Sequence, residues 1–359
     1  MVPVPCVATA PVPPPAYQRA VARRGPDLHI SALTLVTTFH LLALCQCAVA
    51  LSQRRCPPAL PKGPGGAPIV YPEASLLLLA LLRTLWRLSY QDMHDWLVAW
   101  PALAAACGLP RDATGRLRVP CASQQWKRLA RAGAPPCELL FVVAVREAIR
   151  RRVISARDLI IDSAPIKAWR KNDPDAAVGH APAQHPTRFL RGFRVHTLLC
   201  RGSGLPVLFL LWPANAHDAP FAQRLLTLAV QFYALRPRVV RLDAAYWGLA
   251  RICWIHTVLG ATAVIPWNPK RTKNRSCLPP TWTLHELGKR SSIERFFGHV
   301  FLFFHLQRPP LTGWSAIAAR VALTYAGVVI VALAATEAGR PDLIRSPKRV
   351  LAHTWEGLA

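Results

Sequence analysis

Between residues 136 and 335 the hydrophobic period switches repeatedly between helix and strand, and that alternation limits the folds open to the chain. PCELLFVVAVREAIRRRV has apolar residues at helical spacing, and RDLIIDSAPIKA then reads as a short apolar strand ending in Asp162. A polar, basic loop (WRKNDPDAAVGHAPAQHPTRFLR) leads to two strands, GFRVHTLLC and LPVLFLLWPA, joined by the turn RGSG. The helix HDAPFAQRLLTLAVQFYAL follows, then a strand ending at Asp243 (RPRVVRLDAAYWG), a helix and the strand ATAVIPWN. A long basic loop, PKRTKNRSCLPPTW, precedes a helix carrying Glu294. Three strands, helix, strand, helix, strand, helix is the order of a mixed α/β domain.

The rest of the chain divides around this block. Residues 1–68 read as a Pro-rich tail and linker with one apolar segment, of which 1–26 are expected to be disordered. Residues 69–135 read as a helical region, with Ser89 placed to cap the helix that starts at QDMHDWL. Its last member, SQQWKRLARAG, is short, basic and amphipathic. Gln124, Gln125, Lys127 and Arg128 on it suit either DNA contact or the packing of a small bundle. Residues 136–335 are the α/β domain and 336–359 a C-terminal tail.

Two apolar stretches invite comparison with membrane spans. Residues 31–51 contain His40, Gln46 and several Thr, and residues 321–335 are too short to cross comfortably and read as a buried helix. A membrane is therefore not an expected partner. The N-terminus lacks a basic stretch ahead of an apolar one, so it makes a poor signal peptide. The ten cysteines are scattered, without zinc-type spacing, which fits a reducing cytoplasm. There is no Gly-rich phosphate loop, so no nucleotide cofactor is expected.

Charge narrows the partner class. Forty-four Lys and Arg against 18 Asp and Glu give +26, spread along the chain, and such a field attracts polyanions, nucleic acid first. Against that background the carboxylates stand out. Asp162 follows Leu-Ile-Ile, and Asp243 follows Val-Val-Arg-Leu, both at strand ends, where open α/β sheets carry their chemistry. Between Asp243 and Glu337 the chain has only Glu286 and Glu294. Three carboxylates from two strands and a helix suffice to hold Mg²⁺, and two such ions can drive phosphodiester chemistry. Taken singly, each Asp could equally be starting a turn.

IDSAPIKA, LDAAYWG and KRSSIERFFG, in that order, resemble the three catalytic blocks of DDE transposases of bacterial insertion sequences. GFRVHTLLC and LPVLFLLWPANAHDAP between the first two blocks resemble that family's strand pair and its "PAN-x-HD" turn. The resemblance covers roughly 150 to 335. It implies an RNase H-like mixed β-sheet flanked by helices, behind an N-terminal all-helical region. It also implies two Mg²⁺ ions, replaceable by Mn²⁺, held by Asp162, Asp243 and Glu294, with Arg290 holding DNA phosphate. The implied partners are double-stranded DNA, as element terminal inverted repeats and as target, and a second copy of the chain in a homodimer on that DNA. The implied location is the bacterial cytoplasm, with the nucleoid. Two positions depart from the family pattern: Leu287, where relatives often carry an aromatic residue, and Phe301, where many carry a basic one. The next basic candidates are His299, His305 and Arg308.

Other residues are weighed around this core. Lys167, Arg170, Lys171, Arg188 and Arg191 surround the first strand's exit and suit backbone phosphate contact, as does the run Lys270, Arg271, Lys273 and Arg275. Asp218 in NAHDAP reads either as a cap for the helix that follows it or as a fourth acid near the site, the cap being the preferred reading. His180, His185 and His196 could approach phosphate but read first as satisfied surface or core histidines; a splayed base could stack on Trp247 or Trp267, whose default is packing. The alternative function is a DNA-binding protein of transposase descent that no longer cuts.

Overall fold

The computed structural model describes residues 38–55, 70–181, 187–267, 285–286, 288 and 290–353. The Pro-rich residues 1–26, His185, Leu287 and the run Lys270, Arg271, Lys273, Arg275 lie outside the described residues. The chain divides into two compact units, Met1–Ala132 with Ala334–Ala359, and Gly133–Leu333.

The described part of the first unit is helical. Helix α1 (Thr38–Gln53) buries Leu41, Leu42, Cys45 and Val49 and packs on α2 (Glu73–Trp86), whose Leu77–Leu82 run is likewise buried. Helix α3 (Tyr90–Ala99) opens with the cap expected at Ser89. The Ser89 Oγ accepts the Asp92 N–H at 3.0 Å, and Asp92 Oδ2 accepts the Ser89 N–H at 3.1 Å, so two otherwise orphaned donors are satisfied reciprocally. Helices α4 (Pro101–Ala106) and α5 (Ala122–Ala132) complete the group. On α5, Gln124, Trp126 and Lys127 are exposed, whereas Gln125 is buried and donates to the Pro120 carbonyl at 3.0 Å. Gln125 is therefore engaged in packing, as one of the two readings of this helix expected.

The second unit begins with α6 (Pro135–Arg150) and is built on one mixed sheet. Strand β1 (Asp158–Lys167) lies at its centre. Strand β2 (Ala177–His180) pairs antiparallel with the start of β3 (Phe189–Cys200), and β3 pairs antiparallel with β1 and with β4 (Leu205–Pro213). After α7 (Ala219–Tyr233), β5 (Val239–Arg241) joins β1 in parallel. Helix α8 (Leu249–Leu259) then returns the chain to β6 (Thr262–Val264), parallel to β5. Helix α9 (Ser291–Gly298), a single wide π turn (His299–Phe303) and α10 (Trp314–Glu337) follow. An antiparallel trio continued by two parallel strands, flanked by helices, is the mixed α/β arrangement that the element order implied and the RNase H-like sheet that the resemblance implied.

The strands read as continuous apolar runs because both sheet faces are covered: Ile160, Ile161, Phe193, Val195, Leu198 and Val207 are all fully buried. Each such side chain contributes about 1.5–3 kcal/mol by leaving water. Helix α10 is long and apolar enough to cross a membrane by composition, but nearly all of its apolar window is buried within the fold. Its Tyr325 hydroxyl meets Thr197 Oγ1 at 2.8 Å, so a polar pair is satisfied inside the core.

Three local expectations change. Strand β1 does not end at Asp162; it continues through Ser163 to Lys167 because β3 pairs with it all the way to Gly192. Its neighbour on the other side, β5, stops pairing at Ile160, so Pro165 falls where β1 has a partner on one side only. Gly192 permits the approach: a Cβ there would lie 2.1 Å from the Ile166 carbonyl oxygen. The basic loop after β1 also holds an extra strand, β2, formed by AVGH. Near the C-terminus, within the region read as a tail, the chain forms the short helix α11 (Pro347–His353).

Candidate active site

The parallel ladder between β1 and β5 aligns Asp158 with Val239, Leu159 with Val240 and Ile160 with Arg241. Two residues further along each strand stand Asp162 and Asp243, so the ladder delivers two carboxylates side by side just past its last pair. Arg290, immediately before α9, closes the group. Its Nη2 donates to Asp162 Oδ2 at 3.0 Å and its Nη1 to Asp243 Oδ1 at 3.2 Å. One guanidinium thus spans the first two acids, while its Nε is buried without a partner among the described residues.

Each Asp is further oriented by its own backbone. Asp162 Oδ1 accepts the Ser163 N–H at 2.8 Å. Asp243 Oδ1 accepts the Ala244 N–H at 2.7 Å, starting the short turn Ala244–Tyr246. The Asp162 side chain is 21% exposed and that of Asp243 46%. Burial pushes the Asp162 carboxyl up from 3.8 to about 6. Arg290 and the Ser163 N–H pull it down, and the charge on Asp243 raises it again. Two carboxylates share one cation, so the site keeps a net negative charge on a strongly basic chain.

The two acids between Asp243 and Glu337 have different fates. Glu286 is taken up by Arg241, a fully buried residue of β5. Arg241 pairs with Glu286 on one side and Asp158 on the other, its Nε donates to the Glu286 carbonyl at 3.1 Å, and Asp158 also accepts from Arg201 Nε at 2.5 Å. This buried pair ties the segment before α9 to the β1/β5 ladder. Glu294, four residues beyond Arg290, is exposed and makes no hydrogen bond or ion pair among the described residues. Helix α9 packs against β1, yet no three of His, Cys, Asp and Glu gather closely enough to hold a metal ion among the described residues. The structure brings Asp162 and Asp243 together and does not place Glu294 in a cluster with them.

The donor set of the pair suits a hard divalent cation. Asp162 and Asp243 already converge on one positive group, and their oxygens are the ligand type that Mg²⁺ and Mn²⁺ take. Arg290 is engaged by these carboxylates and is not free to hold phosphate in this state.

Asp218 is no helix cap: its side chain makes no capping hydrogen bond to α7. It accepts from Ser163 Oγ at 3.0 Å and lies 3.5 Å from Arg194 Nη1 and 3.6 Å from His196 Nδ1. Arg194 Nη1 also donates to Ser163 Oγ at 3.2 Å. His196 is fully buried, stacked on Phe221 at 4.0 Å, with Nδ1 3.4 Å from the Tyr246 hydroxyl and no partner for Nε2 among the described residues. Burial, then Arg194, hold its pKa down at about 3, so it is neutral. Burial, with the charges of Asp218 and Asp162, pushes the Tyr246 hydroxyl well above its ordinary range. The network joins the residue after Asp162, the turn before α7 and the turn after Asp243. Sequence reasoning weighed Asp218 as a fourth acid near the site but preferred a cap, and it missed the links to Ser163, Arg194, His196 and Tyr246.

Of the basic candidates, Lys167, Arg170, Lys171 and Arg188 are exposed and form no ion pair among the described residues. Arg191 Nη2 donates to the Asp173 carbonyl at 2.9 Å and is partly committed to that loop. His180 is exposed and lies against Phe189, ring centres 5.2 Å apart and tilted by 34°. Trp247 and Trp267 pack against each other, ring centres 6.4 Å apart, both half-buried.

The family model of the transposase DDE domain matches residues 155–328. Among solved structures, the chain is similar to a piggyBac transposase synaptic complex with hairpin DNA, at 9% identity and a TM-score of 0.44 over 90% of this chain and 78% of that one. It is also similar to a Mos1 mariner paired end complex with Mn, at 13% identity and a TM-score of 0.29 over 92% of each chain. No curated protein matches the chain.

Proposed function

We propose that the chain, whose residues 155–328 match the family model of the transposase DDE domain, cleaves DNA at the ends of a bacterial insertion sequence and transfers the freed 3′-hydroxyl into target DNA. The observation that carries this reading is the convergence of Asp162 and Asp243 on one cationic group at the end of the β1/β5 ladder.

In this reading Asp162 and Asp243 would hold divalent cations, two Mg²⁺ ions or Mn²⁺ in their place, and Glu294, unpartnered among the described residues, would supply a third carboxylate. When bound, such ions lower the pKa of the attacking water or hydroxyl and stabilise the leaving 3′-oxygen. The chain's own groups do the rest. Ser163 and Ala244 fix the carboxylates through their N–H groups. Arg290, once released from the two acids, is placed to hold the reacting phosphate. Lys167, Arg170, Lys171, Arg188 and Arg191, with Lys270, Arg271, Lys273 and Arg275, take backbone phosphates of double-stranded DNA. Two element ends must be processed together, so the working form is a homodimer on DNA, in the cytoplasm with the nucleoid.

A second reading is a DNA-binding protein of transposase descent that no longer cuts. It is favoured by the lack of a three-acid cluster among the described residues and by Phe301 where a basic residue is expected. The test is nicking of DNA carrying the repeats that flank the gene, with Mg²⁺, Mn²⁺ or EDTA, by wild type and by Glu294→Gln. Metal-dependent 3′-hydroxyl ends lost in the variant support the first reading. Equal binding with no cutting by either selects the second, and cutting by both removes Glu294 from the acid set.

A further inference from the structure

Where β1 leaves the sheet, an indole lies in the open among cations. Trp169 is 45% exposed, and the Arg308 guanidinium sits 5.0 Å from its ring centre while Arg308 Nη2 donates to the Trp169 carbonyl at 3.2 Å. The Lys167 N–H donates to the Gln307 carbonyl at 2.9 Å, so the segment carrying Arg308 is laced to the strand end. Lys167, Arg170 and Lys171 flank Trp169 in the sequence, exposed and without ion pairs among the described residues.

The acids of the same loop are engaged by backbone N–H groups. Asp173 is fully buried and accepts the N–H groups of Gly313 at 2.9 Å and Asp175 at 3.1 Å; Asp175 accepts the Trp314 N–H at 2.8 Å. They satisfy donors at the start of α10 and pin the loop. The result is a fixed ledge that shows cations and one flat aromatic, with Asp173 buried and the exposed Asp175 engaged by the Trp314 N–H. A solvent-exposed indole covered by a guanidinium, beside uncompensated cations, is the composition that binds a nucleic-acid strand by stacking and phosphate contact.

Resting on the transposase reading, we infer that the Trp169–Arg308 pair is a stacking platform for an unpaired base of the DNA, whose neighbouring phosphates are held by Lys167, Arg170 and Lys171. Lys167 lies five residues beyond Asp162 on β1, about 16 Å at the usual strand rise. That is the span of roughly five nucleotides of one strand. The platform therefore serves DNA beside the reacting phosphate and takes no part in the chemistry.

The test is fluorescence anisotropy of the full chain, in EDTA, with a labelled blunt duplex and with the same duplex carrying a 3′ single-stranded overhang. Trp169→Ala is expected to weaken overhang binding by about fivefold or more and blunt-duplex binding by less than about twofold. Trp169→Phe, which keeps a ring, should recover most of the loss. Lys171→Gln should weaken both DNAs and reduce the salt slope by about one. Overhang binding by Trp169→Ala at wild-type strength, or equal loss on both DNAs, overturns the platform. Wild type that binds neither DNA overturns the platform and the transposase reading together. Wild type that cuts while Trp169→Ala binds normally sinks the platform alone.

Discussion

Arg290 holds Asp162 at 3.0 Å, and the guanidinium that does so also reaches Asp243 at 3.2 Å. Removing it leaves two carboxylates facing each other without a cation. Arg290→Gln should therefore move the Asp162 carboxyl above its present value of about 6, by about one unit. A folded-state pKa raised over the ordinary 3.8 means that the folded protein holds the proton more tightly, so stability is lost as the pH rises through the folded value. The melting-temperature deficit of the variant should grow between pH 5 and 8. A deficit independent of pH would mean that the pair carries no charge coupling.

Asp162 itself is expected to cost stability where it is ionised. Its carboxyl sits mostly out of water, and burial outweighs the help from Arg290. Below about pH 4 the proton is bound in both states; above about 6 the folded chain carries a charge that it disfavours. Asp162→Asn should thus match or exceed wild-type stability at pH 8, by about 1–2 kcal/mol, while Mn²⁺-dependent nicking falls at least about a hundredfold. A variant less stable than wild type at pH 8 and unaffected at pH 5 would contradict the sign.

What sequence could and could not reveal follows from the same residues. The acids at Asp162 and Asp243 were legible because each ends an apolar run, and the Ser89 cap was legible because it is local. The true length of β1 was hidden: Ser163 and Pro165 look like a strand ending, and only pairing with β3 carries the strand on to Lys167. Asp218 occupies the position of a cap, but its partners are 55 residues back at Ser163 and in the middle of β3. The burial of Arg241 depends on Asp158, 83 residues earlier, and on Glu286, 45 later, distances over which composition carries no pairing information. An Arg inside VVRLD was the one available hint.

Arg241 is expected to be among the residues least tolerant of change. It is a buried cation answered by Asp158 and Glu286, and replacing one member of such a group strands the others. Arg241→Met should destabilise the second unit by about 3 kcal/mol, read by thermal unfolding. Because Glu286 precedes Arg290 by four residues, the variant should also loosen the approach of α9 and lower the nicking rate. A stable Arg241→Met protein with normal nicking would show that the buried pairs are dispensable.

Asp218 offers a contest between two physical roles. If it were a helix cap, Asn or Ser in its place would serve nearly as well, since both are good caps, and the cost of Ala would be about 1 kcal/mol of stability. The structure shows no capping bond and places the carboxylate against Ser163, Arg194 and His196. An amide at 218 keeps the shape but leaves the Arg194 charge without its partner, next to the serine that follows Asp162. Asp218→Asn should then fold normally, bind DNA within about twofold of wild type, and lose about tenfold or more in single-turnover nicking. Ser163→Ala should lower the same rate and add little to the Asp218→Asn loss, because both changes cut one connection. Full activity in Asp218→Asn would return the residue to the role of a cap. Additive losses in the double variant would mean that Ser163 and Asp218 act on the site separately.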